Sequence, residues 1–354
     1  MAVINRKDFI MTSRERVFAA LEGRRPDRVP IMELVVDQKV IQAIHHGISY
    51  YDFIEEIGFD VVCVGMSTDT SKIEWIDKDK KIFKGKWGET RAFTTEVKAV
   101  PIPPYPIQTE KNLKSYTPPD PNDPNALGDL REVVRRFKGK RAIAWVGGGV
   151  FAPQQYLRGV EELLMDYVLN PQLVKKLAKI GEEYYIELHR RVIKEGVDIV
   201  ILGDDYAGKT GPMMSPAHFE SFILPGLTAI VKEIKKAGAY CIKHTDGNIW
   251  KIIDMIVKTG VDAIGPVEIG AEMELDKIKE KYDICVVGNV DIDLLSRGTV
   301  EEVIEATKEC IKKGASRGGH ILSSANSIIS VVNPDNFLAM VNTAKEFGKY
   351  PIDI

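Results

Sequence analysis

Eight short runs of β-branched and apolar residues punctuate this 354-residue chain, and nearly every one is followed by a stretch of helical period. The runs are Val29–Val35, Asp60–Met66, Arg141–Val146, Asp198–Gly203, Ala239–His244, Asp262–Glu268, Ile284–Val290 and His320–Ser324. Amphipathic stretches such as Ala217–Ala237, Trp250–Thr259, Val300–Lys313 and Pro334–Phe347 lie between or after them. Alternation of this kind marks βαβ units and a parallel sheet. Several runs are apolar almost throughout, as strands covered on both faces must be. Eight such units without a glycine-rich dinucleotide fingerprint predict a closed (β/α)8 TIM barrel of the α/β class over a doubly wound sheet. Barrels use this much sequence as one unit, so residues 1–354 are expected to form a single domain.

One segment breaks the rhythm. Ser71–Asn125, between the second and third expected strands, opens with two turns, Asp77–Lys80 and Lys84–Lys86, flanked by Trp75, Phe83, Trp87 and Phe93. That pattern predicts an inserted excursion of two to four β-strands. It then becomes proline-rich at Pro101–Pro106 and Pro118–Pro124, where neither helix nor ladder can run. The insertion leaves from the C-terminal end of a strand, so it either decorates the barrel or caps its mouth.

Charge and cysteine content narrow the functional class. A net charge of −3 supplies no electrostatic footprint for nucleic acid or an anionic membrane surface. No apolar run approaches the ~20 residues of a membrane helix. Met1–Arg16 is polar and carries acid, unlike a secretory signal. Cys63, Cys241, Cys285 and Cys310 stand far apart, with no Cys-x-x-Cys pair and no disulfide framework, which predicts a reducing compartment, the cytoplasm.

In a barrel, chemistry sits where strands end at their C-termini, and residues i and i+2 of a strand share a face. Three late strands end in polar pairs of that spacing: His244 with Asp246, Asn289 with Asp291, and Ser324 with Asn326. Glu33, Asp204, Asp205 and Glu268 follow other strands, and the triplet Gly147-Gly148-Gly149 could cradle an anion or merely turn the chain. Each acid or amide alone could cap a helix or close a turn. Their gathering on one expected face points to a site. His244 is the strongest candidate, because Asp246 on the same face could orient it or raise its pKa. His45, His46, His189 and His218 fall in helical or connecting segments, His320 begins a strand at the far end, and the cysteines read as small apolar side chains.

The chain also resembles the uroporphyrinogen decarboxylase superfamily along essentially its whole length. The resemblance lies in Thr12–Val17, Pro26–Pro30, Gly211–Pro216, Lys243–Asn248, Gly288–Asp291, Ser323–Ile328, Val332–Asn336 and Gly348–Ile352. It implies the same barrel, and either of two chemistries: porphyrinogen decarboxylation or corrinoid-dependent methyl transfer. Decarboxylases of this family carry an arginine-bearing segment after the first strand. Here Ile31–Asp37 reads Ile-Met-Glu-Leu-Val-Val-Asp, and the strand ends carry acids instead. An acidic mouth repels a polycarboxylate, at roughly several kcal/mol per uncompensated contact. Methyltransferases of the family that act on thiols hold zinc through His-x-Cys and a later Cys. In this chain Asp246 and Asn326 take those places, so the soft ligands are gone.

The resemblance therefore implies an enzyme that moves a methyl group from a small methylated compound, most plausibly an O-methyl (methoxy) one, to the Co(I) corrinoid of a separate carrier protein. His244 is expected as proton donor or metal ligand, Asp246 as its orienter or co-ligand, and Glu268 or an Asp of the 204–205 pair as a second acid. Glu33, Asn289 and Asn326 would bind substrate polar atoms, and Met32, Met66 and Met213 would line an apolar wall. The site would hold zinc or another divalent ion, or act as a metal-free proton-transfer network. A decarboxylase or lyase acting on another carboxylic acid is the alternative enzyme, and a non-catalytic ligand-binding module the alternative class. Barrels of this kind often associate, so a homo-oligomer is an open expectation.

Overall fold

The computed structural model describes residues 11–65, 73–94 and 99–354. In chain order its strands are β1 (Val61–Val64), β2 (Trp75–Asp77), β3 (Ile82–Lys84), β4 (Thr90–Phe93), β5 (Ala99–Ile102), β6 (Ala142–Gly147) and β7 (Ile199–Gly203). There follow β8 (Ala207–Gly208), β9 (Gly211–Pro212), β10 (Tyr240–His244), β11 (Ala263–Gly265), β12 (Cys285–Val287) and β13 (His320–Ile321). Seven of them form one curled parallel sheet in the order β1-β6-β7-β10-β11-β12-β13.

The seam between β13 and β1 is closed by Pro30–Met32. Met32 N–H donates to Leu322 O over 3.0 Å, Leu322 N–H to Pro30 O over 2.9 Å, and Asp60 N–H to Ile31 O over 2.8 Å. The expected first strand, Val29–Val35, is thus reduced to isolated pairings at Ile31 and Val36. Two donors are missing from its ladder. Pro30 has no N–H, and Ile31 N–H is captured by the Asp60 carboxylate at 2.8 Å. The late strands also stop earlier than expected. β11 ends at Gly265 because Pro266 cannot continue the hydrogen bonding.

Side chains alternate across the sheet as strand geometry demands. Val61, Cys63, Ala142, Ala144, Ile199, Ile201, Ile242, Ala263, Cys285, Val287 and Ile321 pack together with Met32 in one buried cluster, the barrel interior. Their alternates Val62, Val64, Ile143, Trp145, Val200, Leu202, Cys241, Ile264 and Val286 belong to the larger cluster that meets the helices. All four cysteines are free and buried within these layers, as expected of small apolar side chains.

The N-terminal end of the barrel is held by charge. Asp60 is fully buried and meets Arg16 at 2.6 Å and Arg28 at 2.8 Å, while Arg16 also meets Asp27 at 2.6 Å. The Thr12–Val17 and Pro26–Pro30 motifs build this network, which lies at the end of the barrel where conservation of stability, not chemistry, is the usual theme.

The insertion folds as a four-stranded antiparallel sheet, β2-β3-β4-β5. Trp75, Phe83 and Phe93 pack with ring centroids 5.2–6.1 Å apart on one of its faces. It rests on the helices after β6: Trp87 lies 4.9 Å from the Tyr184 ring, and Ile107 N–H bonds Leu157 O at 2.9 Å. Among the described residues, no helix is long and apolar enough to cross a membrane.

Candidate active site

His244 is the last residue of β10 and continues the inward row Tyr240–Ile242. Its neighbours in register are Gly203 on β7 and Gly265 on β11, so no flanking side chain crowds the imidazole. Just beyond the strand, Asp246 Oδ1 lies 3.4 Å from His244 Nε2. Asn326, from the loop after β13, donates its Nδ2–H to Asp246 Oδ2 over 2.8 Å. Asp205, after β7, accepts Asp246 N–H on Oδ1 at 3.2 Å. One ligand atom each of Asp205, His244 and Asp246 lies within 4.8 Å of the others, with Asp205 exposed and the other two half-buried. Two carboxylates and an imidazole form a harder donor set than thiolates, and they fit a divalent cation acting as a Lewis acid.

Glu268 stands one strand over, and its Oε2 accepts Gly247 N–H at 2.9 Å. Gly247 adopts φ +81°, and a Cβ there would sit 2.6 Å from the Ala207 carbonyl, so the turn behind Asp246 admits only glycine.

Beside this pole lies a narrow cleft with room for little more than a water molecule, about 20 Å³. Met32, Leu34, Ile201, Ile242, Pro266 and Val287 form its apolar wall. Glu33, His244, Ser323, Ser324 and Asn326 supply its polar atoms, and among the described residues no lysine or arginine lines it. Glu33 is buried, with both carboxyl oxygens held by Ser324, 2.7 Å from its N–H and 2.6 Å from its Oγ. Burial pushes its pKa up to about 8.

The remaining expected site residues lie elsewhere. Asp204 is fully buried and spends its carboxylate on the chain itself, accepting from Gly149, Phe151 and Ala152 N–H at 3.0, 2.9 and 3.2 Å. It caps the helix Phe151–Arg158 from outside, so its carboxylate is engaged by the scaffold. The glycine triplet cradles that carboxylate, since a Cβ on Gly149 would lie 2.5 Å from Asp204 Oδ2. Asn289 is likewise withdrawn from substrate binding by its own bond, Nδ2–H to Val267 O at 2.8 Å, and it does not line the cavity. Met213 is 37% exposed and stands outside the cavity as well. Met66 lies outside the described residues.

Ser324, marked by its spacing from Asn326, turns to Glu33, and one residue escapes the search for polar pairs. Lys243 is fully buried and donates Nζ–H to the carbonyls of Leu202, Asp204 and His244 at 3.0, 2.6 and 2.6 Å. It ties the ends of β7 and β10 together, and so sets Asp205 against Asp246. A charge inside an apolar strand was its only signal. Burial lowers its pKa to about 8. His189 and His320 are buried and neutral, with pKa values pushed down to about 3 and about 4 by desolvation. His320 Nε2 sits 2.8 Å from Gly288 O, a structural role.

The chain is similar to several known proteins. A uroporphyrinogen decarboxylase from Trichodesmium erythraeum is 26% identical over 263 residues, 70% of this chain and 71% of that protein. A methylated-thiol–coenzyme M methyltransferase from Methanosarcina mazei is 24% identical over 257 residues, 69% of this chain and 65% of that one. A solved methyltransferase from Methanosarcina mazei superposes with a TM-score of 0.72 at 18% identity, covering 95% of this chain and 99% of that chain, which supports the fold. The family model described as uroporphyrinogen decarboxylase (URO-D) matches residues 91–347, and this chain belongs to that family.

Proposed function

We propose that this protein is a methyltransferase that takes the methyl group of a small methoxy compound and passes it to the Co(I) corrinoid of a separate carrier protein. The observation that carries the reading is the pairing of a narrow cleft, apolar-walled and with no lysine or arginine among its described lining residues, with the His244–Asp246–Asp205 pole. The apolar wall suits a neutral methyl-bearing group, whereas a polycarboxylate would need lysine or arginine, which no described lining residue supplies. Relatives named as methyltransferases acting on methylated thiols and on methylcobamide lend support at 24% and 23% identity. The corrinoid supplies the nucleophile for the methyl carbon when the carrier docks. The chain's own residues hold the substrate: the apolar wall packs the methyl-bearing group, and the His244 pole binds the substrate heteroatom, directly or through a divalent cation. Free thiols buried throughout suit a cytoplasmic enzyme.

The test is absorbance spectroscopy of the purified protein with a Co(I) carrier protein and a panel of methoxy, methylamine and methylthiol compounds. Conversion to methyl-Co(III) with methoxy compounds supports the reading. Release of CO₂ from a carboxylic acid without any corrinoid, and no conversion with a competent carrier, would place the protein with the decarboxylases.

A further inference from the structure

Glu33 differs from the other acids of the mouth. It is 2% exposed, it lines the cavity, and its perturbation comes from burial and Ser324 alone, with no cation contributing. The titratable groups that face it are Cys63 on β1, Tyr50 on the helix Tyr50–Glu56 and, across the cavity, His244. Ser324 N–H donates to Oε1 at 2.7 Å, and Ser324 Oγ stands 2.6 Å from Oε2. The same Oγ also bonds the main-chain carbonyl of Asn326. A hydroxyl has one hydrogen, and a carbonyl oxygen can only accept. When the Ser324 hydrogen goes to Asn326 O, the 2.6 Å contact needs a hydrogen from Glu33, which a neutral Glu33 carboxylic acid supplies.

We propose that Glu33 and Ser324 form the proton supply of this site: Ser324 hands its hydroxyl hydrogen to an electronegative atom bound in the cavity, and Glu33 refills it. The inference rests on the methyl-transfer reading and names the substrate class within it, methyl ethers whose leaving group must be protonated. In the reaction the C–O bond breaks and its electron pair stays on oxygen, while the methyl carbon is bonded by the electron pair of the carrier's Co(I). The oxygen takes the Ser324 proton and departs as an alcohol, and the Glu33 proton moves to Ser324. Glu33 ends as a carboxylate facing the Ser324 N–H, a donor already in place, and the Ser324 O–H that its own proton completes, so its charge is met by hydrogen bonds when it forms.

The experiment uses the full chain and its Glu33→Gln and Ser324→Ala variants, each first shown by thermal melting to fold. Infrared difference spectra between wild type and E33Q are expected to show a protonated carboxyl band at neutral pH that disappears as pH passes about 8. Single-turnover methyl transfer is then measured from methyl ethers of graded leaving-group acidity. E33Q and S324A are expected to slow transfer by about 10²–10⁴-fold for alkyl ethers and progressively less as the leaving alcohol becomes more acidic. An ionised Glu33 at neutral pH overturns the inference whatever the wild type does with methyl donors. Equal slowing across all ethers assigns the pair a structural role and also overturns it. A protonated Glu33 in a wild type inert towards every donor, with a competent carrier, sinks the methyl-transfer reading and leaves the neutral acid standing.

Discussion

Asn326 donates its amide hydrogen to Asp246 across 2.8 Å, so the loop after the last strand fixes the carboxylate that faces His244 three strands away. The amide satisfies the carboxylate oxygen turned away from the imidazole and sets the orientation of the other. Partners that orient a reacting or ligating group in this way contribute through geometry. Replacement of Asn326 by alanine is expected to slow formation of methyl-Co(III) by about 10–100-fold. Initial rates followed by absorbance check this. An unchanged rate would mean that Asp246 holds its position without the amide.

His244 brings the imidazole nitrogen to the Asp205–His244–Asp246 cluster, and the proposed methyl transfer gives it a larger part than Asn326. His244→Ala is expected to lower the single-turnover rate by about 10²–10⁴-fold, the usual worth of a positioned acid or of an activating group in its place. Rates with saturating carrier protein separate this loss from weakened docking.

The Asp205–His244–Asp246 cluster is expected to bind one divalent cation. Co²⁺ titrated into chelator-treated protein should develop a visible absorption band with a one-to-one end point. Both the band and the stoichiometry should vanish in His244→Ala and weaken in Asp205→Asn, because each supplies one of the clustered ligand atoms. Binding that persists in both variants would put the cation elsewhere.

At the other end of the barrel, Asp60 serves two arginines and the Ile31 N–H while fully buried. Its removal takes one of two carboxylate partners from buried Arg16 and the carboxylate partner from Arg28, which costs up to about 3–5 kcal/mol. Asp60→Ala should lower the urea midpoint accordingly. A drop smaller than about 1 kcal/mol would show that water reaches Arg16 and Arg28.

Stability should depend on pH through buried groups of opposite sign. His189 and His320 have folded pKa values of about 3 and about 4, below their ordinary value. Between those values and about 6.5 the unfolded chain binds more protons, so stability is full above that range and falls as pH falls through it. Glu33, raised to about 8, acts the other way: the folded state keeps a proton that the unfolded chain has lost. Its stabilising effect is full below the unfolded value of about 4.5 and declines up to about pH 8, by at most about 1.4 kcal/mol per pH unit. Urea midpoints of Glu33→Gln and wild type should therefore diverge as pH rises towards 8, the variant lacking the alkaline decline.

Much of the architecture was legible because its causes are local. The alternation of inward Val61, Cys63, Ile199 and Ile201 with outward Val62, Val64, Val200 and Leu202 follows from a period of two in the strands themselves. The insertion could be read from Trp75, Phe83 and Phe93 around their turns for the same reason. The first strand was overestimated because its apolar pattern is strand-like. Its loss of donors involves a proline and a side chain 29 residues further along the chain.

At the site, the sequence by itself determined which polar residues stand at strand ends, and that His244 and Asp246 share a face. Only the tertiary structure decided what each of them is free to do. Asp204 and Asp205 are adjacent in sequence and alike in chemistry, yet one is consumed by N–H groups more than 50 residues away and the other turns to Asp246. Glu33 meets Ser324 across 291 residues of chain, in a cavity with no lysine or arginine among its described lining residues. Periodicity is written into neighbouring residues, whereas a carboxyl's proton, its partners and its availability depend on the dielectric and the donors that distant segments bring to it.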